Sequence, residues 1–114
     1  MSKQRKQEGY TLVVIAALIT VFLGFTALSV DVGMLYSARA SAQKAADAAA
    51  LAGAFVFITH PDLTESTTPK QSDVIKAQAI QTAATNKMFG APISVATSDV
   101  TVDLTNRRVT VQVN

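Results

Sequence analysis

The most prominent feature of the hydropathy pattern is a long uncharged segment near the N-terminus. The twenty-one consecutive residues from Tyr10 to Val30, "YTLVVIAALITVFLGFTALSV", include no charged side chain. At about 1.5 Å of rise per helical residue, the segment covers roughly 30 Å, which is the thickness of the hydrocarbon core of a bilayer. The pattern therefore predicts a transmembrane helix over residues 10–30.

The segment that follows is rich in alanine. Ten of the seventeen residues from Ala38 to Ala54 are alanine, and the first proline of the chain is Pro61. Because alanine is the best helix former, we expect one continuous helix from about Tyr10 to Ala54 or Phe57. Spacings of three and four place one stripe of residues on a common face of this helix: Leu35, Ala38, Ala42, Ala45, Ala49, Ala52 and Val56.

The small side chains of this region predict a packing surface. Ala45, Ala49 and Gly53 are spaced by four, an arrangement that lets a second backbone approach closely. An exposed stalk would carry more charged residues than this segment does. We therefore expect the helix to be covered, either by the downstream part of its own chain or by neighbouring copies.

A loop and a second helix are expected next. The segment from Thr59 to Gln71 is rich in turn-forming and hydroxyl residues, and Thr68, Pro69 and Gln71 fit a capping box with proline at the first helical position. Ser72 offers a later start. The second helix is predicted to end near Phe89, before Gly90. Four residues are expected to share one face of it: Ala77, Ile80, Ala84 and Met88.

The C-terminal residues change from helical to alternating periodicity. Apolar residues alternate with polar ones from Val100 to Leu104 and from Val109 to Val113, on either side of a turn at "TNRR". The segment around Ile93 and Val95 is a candidate further strand. The predicted fold class is α+β, with a pilin-like outline: a long N-terminal helix that is half transmembrane and half alanine-rich, a second helix, and a small antiparallel hairpin or sheet.

The distribution of charge predicts an orientation in the membrane. Lys3, Arg5 and Lys6 precede the apolar segment, whereas Asp31 follows it, so the positive-inside rule places the N-terminus in the cytoplasm and exports the C-terminal head. Seven basic and seven acidic residues lie beyond Val30, so the net charge of +2 does not indicate a nucleic-acid partner. A cleavable secretory signal is the main alternative, but the apolar segment is longer than the usual h-region of about 7–15 residues.

Candidate catalytic motifs find no support in the surrounding sequence. His60 to Asp62 spells the tripeptide of J-domain co-chaperones, but residues 48–58 lack the basic charge that such a domain carries before it. Ser41 and Lys44 fit the S-x-x-K pattern of acylating serine enzymes without the K-T-G segment of those enzymes. The chain has no cysteine. We predict no catalytic residue, no metal or cofactor and no small-molecule substrate, so the protein is not expected to be an enzyme.

Asp31 is the first charged residue after the apolar segment. Its simplest role is to end the membrane span at the outer interface. Alternatively, Asp31 pairs with a basic group such as Arg39 of a neighbouring copy when subunits assemble, because a carboxylate removed from water needs a partner.

The segment from Leu23 to Ala54, "LGFTALSVDVGMLYSARASAQKAADAAALAGA", resembles the N-terminal signature of TadE/TadG-like proteins of the tight-adherence (Flp-type) pilus system. In that signature a membrane helix ends in V-D-V-G-x-L-Y-x-x-R and continues into Q-x-A-A-D-A-A-A-L-A-G-A. The matching positions are Val30, Asp31, Val32, Gly33, Leu35, Tyr36, Arg39, Gln43 and residues 45–54. The resemblance implies a single-pass protein of the bacterial inner membrane that acts in assembly or anchoring of a pilus. Its expected partners are the membrane, other pilus or envelope proteins, and copies of itself.

The resemblance also implies a distant relation to type IV pilins. "QEG" before "YTLVVIAAL" is similar to a prepilin leader, with Gly9 before the cut and Tyr10 after it. At the fifth position after the cut, where pilins usually have Glu, this chain has Val14. A pilin-like subunit that is cleaved after Gly9 and polymerises through its N-terminal helix therefore stays an alternative. A third hypothesis, a tethered head that recognises a surface or glycan, lacks the exposed aromatic cluster that it requires.

These patterns divide the chain into five predicted segments: a basic cytoplasmic leader (1–9), a transmembrane helix (10–30), an alanine-rich helical connector (31–57), a loop (58–71) and a small α+β head (72–114). Helix packing or assembly is assigned to Asp31, Gly33, Leu35, Ala38, Arg39, Ala42, Ala45, Ala49 and Gly53. Because the sequence stops directly after an apolar strand, we expect the head to continue beyond Asn114.

Overall fold

The protein combines two helices with two small antiparallel sheets of two strands each, so the predicted α+β class is confirmed. A computed structural model describes residues 4–113, with side chains from Gly9 onward. The elements in chain order are α1 (Gln4–Thr59), α2 (Gln71–Thr85), β1 (Lys87–Met88), β2 (Ala91–Pro92), a short 3-10 helix (Thr97–Asp99), β3 (Val100–Asp103) and β4 (Arg108–Val111). Strand β1 pairs with β2, and β3 pairs with β4.

The chain divides into two compact units, Met1–Tyr36 and Ser37–Asn114. In the first unit every side chain that the structure describes is exposed. The second unit contains the hydrophobic core, which α1 enters through Ala45 and Ala49. We refer to this second unit from here on as the head; it includes the alanine-rich part of α1, whereas the head predicted from the sequence begins at residue 72.

The core of the head is built from unusually small side chains. Ala45 and Ala49 of α1 are fully buried, as are Ala79 and Ala83 of α2. The larger residues of the core lie mainly in the C-terminal part of the head, where Ile93, Val95 and Val100 are buried. Alanine on both helices permits a short distance between them, and the strands then close the core from another side.

The closest approach of α1 to its neighbours occurs at Gly53. A Cβ atom placed on this residue would lie 3.2 Å from Cγ1 of Val109 and 3.3 Å from both Cγ2 and the carbonyl oxygen of Ile75. Gly53 therefore touches both α2 and β4. Ile75 itself is fully buried at this contact.

Helix α2 does not use the predicted capping box at Thr68. It begins at Gln71, and its N-cap residue Lys70 makes no side-chain capping hydrogen bond. Instead, the carboxylate of Glu65 accepts hydrogen bonds from the backbone N–H of Ser72 (2.9 Å) and from its hydroxyl (2.9 Å). The cap comes from seven residues upstream because the loop folds back on the start of the helix, which the local pattern does not reveal.

The predicted C-terminus of α2 was also wrong, and of the four residues predicted to share a face only Ile80 and Met88 pack, partly buried, against the core. The helix ends at Thr85, and residues 87–92 form the β1–β2 hairpin, whose tip is Phe89 (φ 51°) and Gly90 (φ 84°). The buried residues of the helix are Ile75, Ala79 and Ala83, whereas Ala77 and Ala84 of the predicted face are exposed. Gly90 serves a hairpin turn rather than a helix cap, because a two-residue turn of this kind requires positive φ at both positions.

The C-terminal hairpin confirms the alternating pattern. Strands β3 and β4 pair from Val100 opposite Val111 to Asp103 opposite Arg108. Asp103 accepts hydrogen bonds from the backbone N–H of Asn106 (3.1 Å) and from its side-chain amide (2.7 Å), which closes the turn. Ile93 and Val95 are buried but lie outside the strands, so the predicted further strand at these residues is not formed.

The cap of α2 makes the stability of the head sensitive to acid. The hydrogen bond from the backbone N–H of Ser72 lowers the pKa of the Glu65 carboxyl more than any other interaction does. A carboxylate with a lowered pKa in the folded state stabilises the fold above its unfolded value of about 4.3, and this stabilisation is lost as the pH falls through the folded value. We expect Glu65→Gln to lower the urea midpoint of the head at pH 7 and to have a smaller effect at about pH 3. A loss that is equal at both pH values would contradict this role of the carboxylate.

The contact at Gly53 predicts that even a methyl group is harmful there. Replacing Gly by Ala within a helix gains up to about 1 kcal/mol, but overpacking costs roughly 1–3 kcal/mol when the neighbours include fixed backbone. We expect Gly53→Ala to destabilise the head by about 1 kcal/mol in urea denaturation of the full chain in detergent. Gly24→Ala is the control, because a Cβ atom there meets nothing within 4 Å. Equal or increased stability of Gly53→Ala would show that Val109 moves aside freely.

Candidate assembly surfaces of the first helix

The first surface is the apolar N-terminal part of α1. The large apolar side chains from Tyr10 to Tyr36 are all exposed, with exposed fractions such as 71% for Leu12 and 68% for Phe22. A contiguous apolar surface of this extent marks contact with a membrane or with other protein. The helix between Gly9 and Thr59 is long and apolar enough to cross a membrane, and its most apolar window is entirely unburied.

Two hydroxyl groups within this surface are satisfied by the helix itself. Thr20 donates to the carbonyl oxygen of Ala16 (3.0 Å), and Thr26 donates to that of Phe22 (2.8 Å). In a hydrocarbon environment, polar groups must be satisfied internally because water is absent. Both threonines therefore fit a lipid environment without a partner from outside the helix.

The residues near the end of the first unit that match the TadE/TadG-like signature are all exposed. Asp31, Gly33 and Leu35 present their surfaces to solvent, and Leu35 is 70% exposed. A Cβ atom on Gly33 would meet nothing within 4 Å. None of the three makes a packing contact that would explain its identity within its own unit, so their assignment to assembly stays a prediction.

The proposed leader site lies within regular helix. Gly9 and Tyr10 are both exposed, and the peptide bond between them falls inside α1, which already begins at Gln4. The side chains of the basic residues of the predicted leader, including Lys3, Arg5 and Lys6, lie outside the part of the chain whose side chains the structure describes. A peptidase acting after Gly9 would have to unwind the helix locally.

The alanine-rich part of α1 uses one face for its own head. Ala45, Ala49 and Gly53 are buried there, Ala38 and Ala42 are half-buried, and Arg39 is exposed. Of the stripe predicted from the sequence, Ala45, Ala49 and Val56 are therefore buried within the same chain, whereas Ala52 is half-buried beside the open groove. Sequence periodicity located the face but did not distinguish packing within the chain from packing between chains.

A second face of α1 in the head was missed by the sequence analysis. Leu51, Phe55 and Ile58 are exposed by 73%, 58% and 73%, and their spacing of four and three places them on one side of the helix. The spacing can be read from the sequence, but the many alanines around these three residues drew attention to the opposite face. Leu51 and Phe55 also line an open groove of about 600 Å³ between α1 and α2, together with Val74 and Gln78.

His60 lies at the end of α1 and has a local role. Its Nδ1 is 2.9 Å from the hydroxyl oxygen of Thr59, and its backbone N–H donates to the carbonyl oxygen of Val56 (2.9 Å). Within the described residues, no group of three or more His, Cys, Asp or Glu side chains is arranged to hold a metal ion.

Comparison with known protein families gives a match in the N-terminal part of the chain. Residues 9–55 match the Tad family of TadE/G-like Flp pilus-assembly proteins, which confirms the resemblance seen from Leu23 to Ala54. No curated protein and no solved structure matches the chain. The family match and the candidate membrane-spanning helix together support a role in pilus assembly.

The buried face predicts different effects for one substitution at two sites of the same helix. Ala49 is fully buried, whereas Ala40 is exposed. We expect Ala49→Leu to destabilise the head by roughly 1–3 kcal/mol through overpacking, and Ala40→Leu to change the stability by less than about 0.5 kcal/mol. Pulse proteolysis of the full chain in urea measures both. Unchanged stability of Ala49→Leu would show that this face of α1 is not held by its own head.

Proposed function

We propose that this protein is a membrane-anchored structural component in the assembly or anchoring of a Tad/Flp-type pilus. The match of residues 9–55 to TadE/G-like pilus-assembly proteins and the exposed apolar surface of α1 support this role. In this proposal residues 10–30 form the anchor, and the head is exported as a folded unit.

The observation that carries the proposal is the complete exposure of the apolar window in α1. The core helix of a soluble domain buries its apolar residues against other elements, whereas every described side chain in residues 9–36 is exposed. Burying one large apolar side chain is worth about 1.5–3 kcal/mol. A helix with this many exposed apolar side chains therefore needs lipid or protein around it.

The charges on either side of the anchor support an orientation. The basic residues Lys3, Arg5 and Lys6 precede it, and Asp31 is the first charge after it. Under the positive-inside rule the N-terminus is cytoplasmic and the head faces outward from the bacterial inner membrane. The expected partners are lipid, other pilus or envelope assembly proteins, and copies of the chain.

The proposed role is structural rather than catalytic. The matched family is a pilus-assembly family, which is structural in character. The groove between α1 and α2 is lined mainly by apolar side chains, with Thr59 and His60 at one end. The Thr59 hydroxyl there lies 2.9 Å from Nδ1 of His60 and donates to the carbonyl oxygen of Phe55 (3.2 Å), so it serves the end of α1. The apolar lining of the groove suits contact with protein.

A filament subunit is the second candidate function. The position of Gly9 and Tyr10 directly before the apolar segment supports it, because this is where a prepilin leader would be removed. In a filament the apolar part of α1 would pack against identical helices instead of lipid. Val14 and the helical conformation of the Gly9–Tyr10 bond both count against processing.

Fractionation of sheared cells separates the two functions. We expect the protein to stay in the membrane pellet with an N-terminus at Met1 or Ser2, because an uncleaved helix remains in lipid. Release in long polymers that begin at Tyr10 would instead establish the filament subunit.

A charge in the centre of the span tests the anchor directly. We expect Ile19→Arg to move the protein out of the membrane fraction, because Arg at the centre of a membrane helix costs about 2.5–3.5 kcal/mol on insertion scales. Gln43→Arg is the matched control, because Gln43 is exposed on the same helix within the head. Membrane retention of Ile19→Arg equal to that of the control would contradict an anchor at residues 10–30.

A further inference from the structure

We propose that a second copy of this chain docks on the outer face of α1, which we define as Leu51, Phe55 and Ile58. The two α1 helices would lie parallel around a twofold axis, with Lys44 of each copy next to Asp47 of the other. The parallel direction rests on the proposed membrane anchor, whereas the contact surface and the charge pairing rest on the head itself.

The first argument is the distribution of side-chain size around α1. Within the head, this helix buries Ala45, Ala49, Gly53 and Val56 and leaves the larger Leu51 and Ile58 exposed by 73% each. A helix that served only its own core would place its largest apolar residues inward, because they gain most from burial. The outer face therefore has the composition of a second interface.

The second argument is the shape of the surface beside this face. Leu51 and Phe55 form one wall of the open groove, and Val74 and Gln78 of α2 form the other. No Asp, Glu, Lys or Arg side chain lines the groove. Two helices with an apolar groove between them can receive the side chains of a third helix, and twofold symmetry would then produce a four-helix arrangement.

The third argument is the self-complementary charge at one end of the face. Lys44, Leu51 and Ile58 are spaced by seven, which is the repeat of a parallel two-helix seam. Lys44 and Asp47 are both exposed and lie about one helical turn apart. In a parallel twofold pair, the two Lys44 side chains face each other across the axis, and Asp47 of each copy lies beside the lysine of the other and offsets their repulsion.

The size of the surface indicates where pairing occurs. A stable complex buries about 800 Å² on each partner, and three side chains with one groove wall supply only part of that area. Anchoring two copies in one membrane raises their effective concentration and strengthens a weak contact. We therefore expect pairing in membranes and dissociation when the protein is diluted in detergent.

Cysteine crosslinking in membranes tests the seam, because the chain has no native cysteine. We expect the single variants Leu51→Cys and Ile58→Cys to form disulfide dimers at least about tenfold more efficiently than Gln81→Cys, because a disulfide requires Cα atoms closer than about 7 Å. Gln81 is an exposed position on α2 outside the groove lining and serves as the collision control. Equal crosslinking at all three positions would overturn the proposal.

Charge reversal tests the pairing of Lys44 with Asp47. In the Leu51→Cys background, Lys44→Glu or Asp47→Lys alone places like charges next to each other across the axis. We expect each to reduce crosslinking severalfold and the double variant to restore it, as in a double-mutant cycle. Additive losses in the double variant would overturn the charge pairing.

The same membranes distinguish this proposal from the membrane anchor. Protein that pellets with membranes but shows no preferred crosslinking at Leu51→Cys or Ile58→Cys overturns the pairing and leaves the anchor intact. Preferred crosslinking in a soluble fraction supports the seam and contradicts the anchor. A disulfide between Leu51→Cys in one copy and Phe89→Cys in another would place the β1–β2 tip in the groove and would also overturn the twofold seam.

Discussion

The close contact of α1 with α2 and β4 at Gly53 is the constraint on which the head depends. A side chain there would require its neighbours to shift, since a Cβ atom would lie 3.2 to 3.3 Å from Val109 and Ile75. The alanines on both sides of this point continue the close approach along the helix pair, with Ala45 and Ala49 facing a core that includes Ala79 and Ala83. A core of such small side chains gains less from burial for each residue than a core of leucine. The stability of this core therefore depends on the close packing of α1 against α2 and on the strands that cover it.

This constraint explains the composition of the middle of the chain. Alanine favours the helix in any environment, and it also allows the neighbouring backbone to come close. The same helix contains an apolar segment whose side chains are all exposed and which suits lipid. One helix thus combines large apolar side chains that are all exposed with small ones that lie in a packed protein core. The Tad-family match covers residues 9–55, which include both of these parts.

The long first helix, the α+β class and the C-terminal hairpin could be predicted from the sequence because each follows from a local period or composition. The wrong predictions concern features that depend on residues outside the local sequence pattern. Glu65 caps α2 from across the loop, so the local capping box at Thr68 was misleading. The hairpin at Lys87–Pro92 ended the helix early because Phe89 and Gly90 adopt positive φ, which the helical pattern up to Met88 concealed. Ile93 and Val95 were predicted to form a further strand; they are buried but lie outside the strands, because burial alone does not make a strand.

The alanine-rich face of α1 also shows what sequence periodicity cannot predict. Periodicity identified the alanine face because small residues recur on it, but periodicity cannot tell whether a face meets its own chain or another. The three-dimensional structure resolves this for Ala45, Ala49 and Gly53, which contact the head of the same chain. Contacts between chains must then use what the head leaves exposed, and the large side chains of Leu51, Phe55 and Ile58 are exposed on a helix whose small ones are buried. A helix with a small-residue face and a large-residue face can hold its own domain closely and still offer apolar area to a neighbour, which is the combination that an assembly component requires.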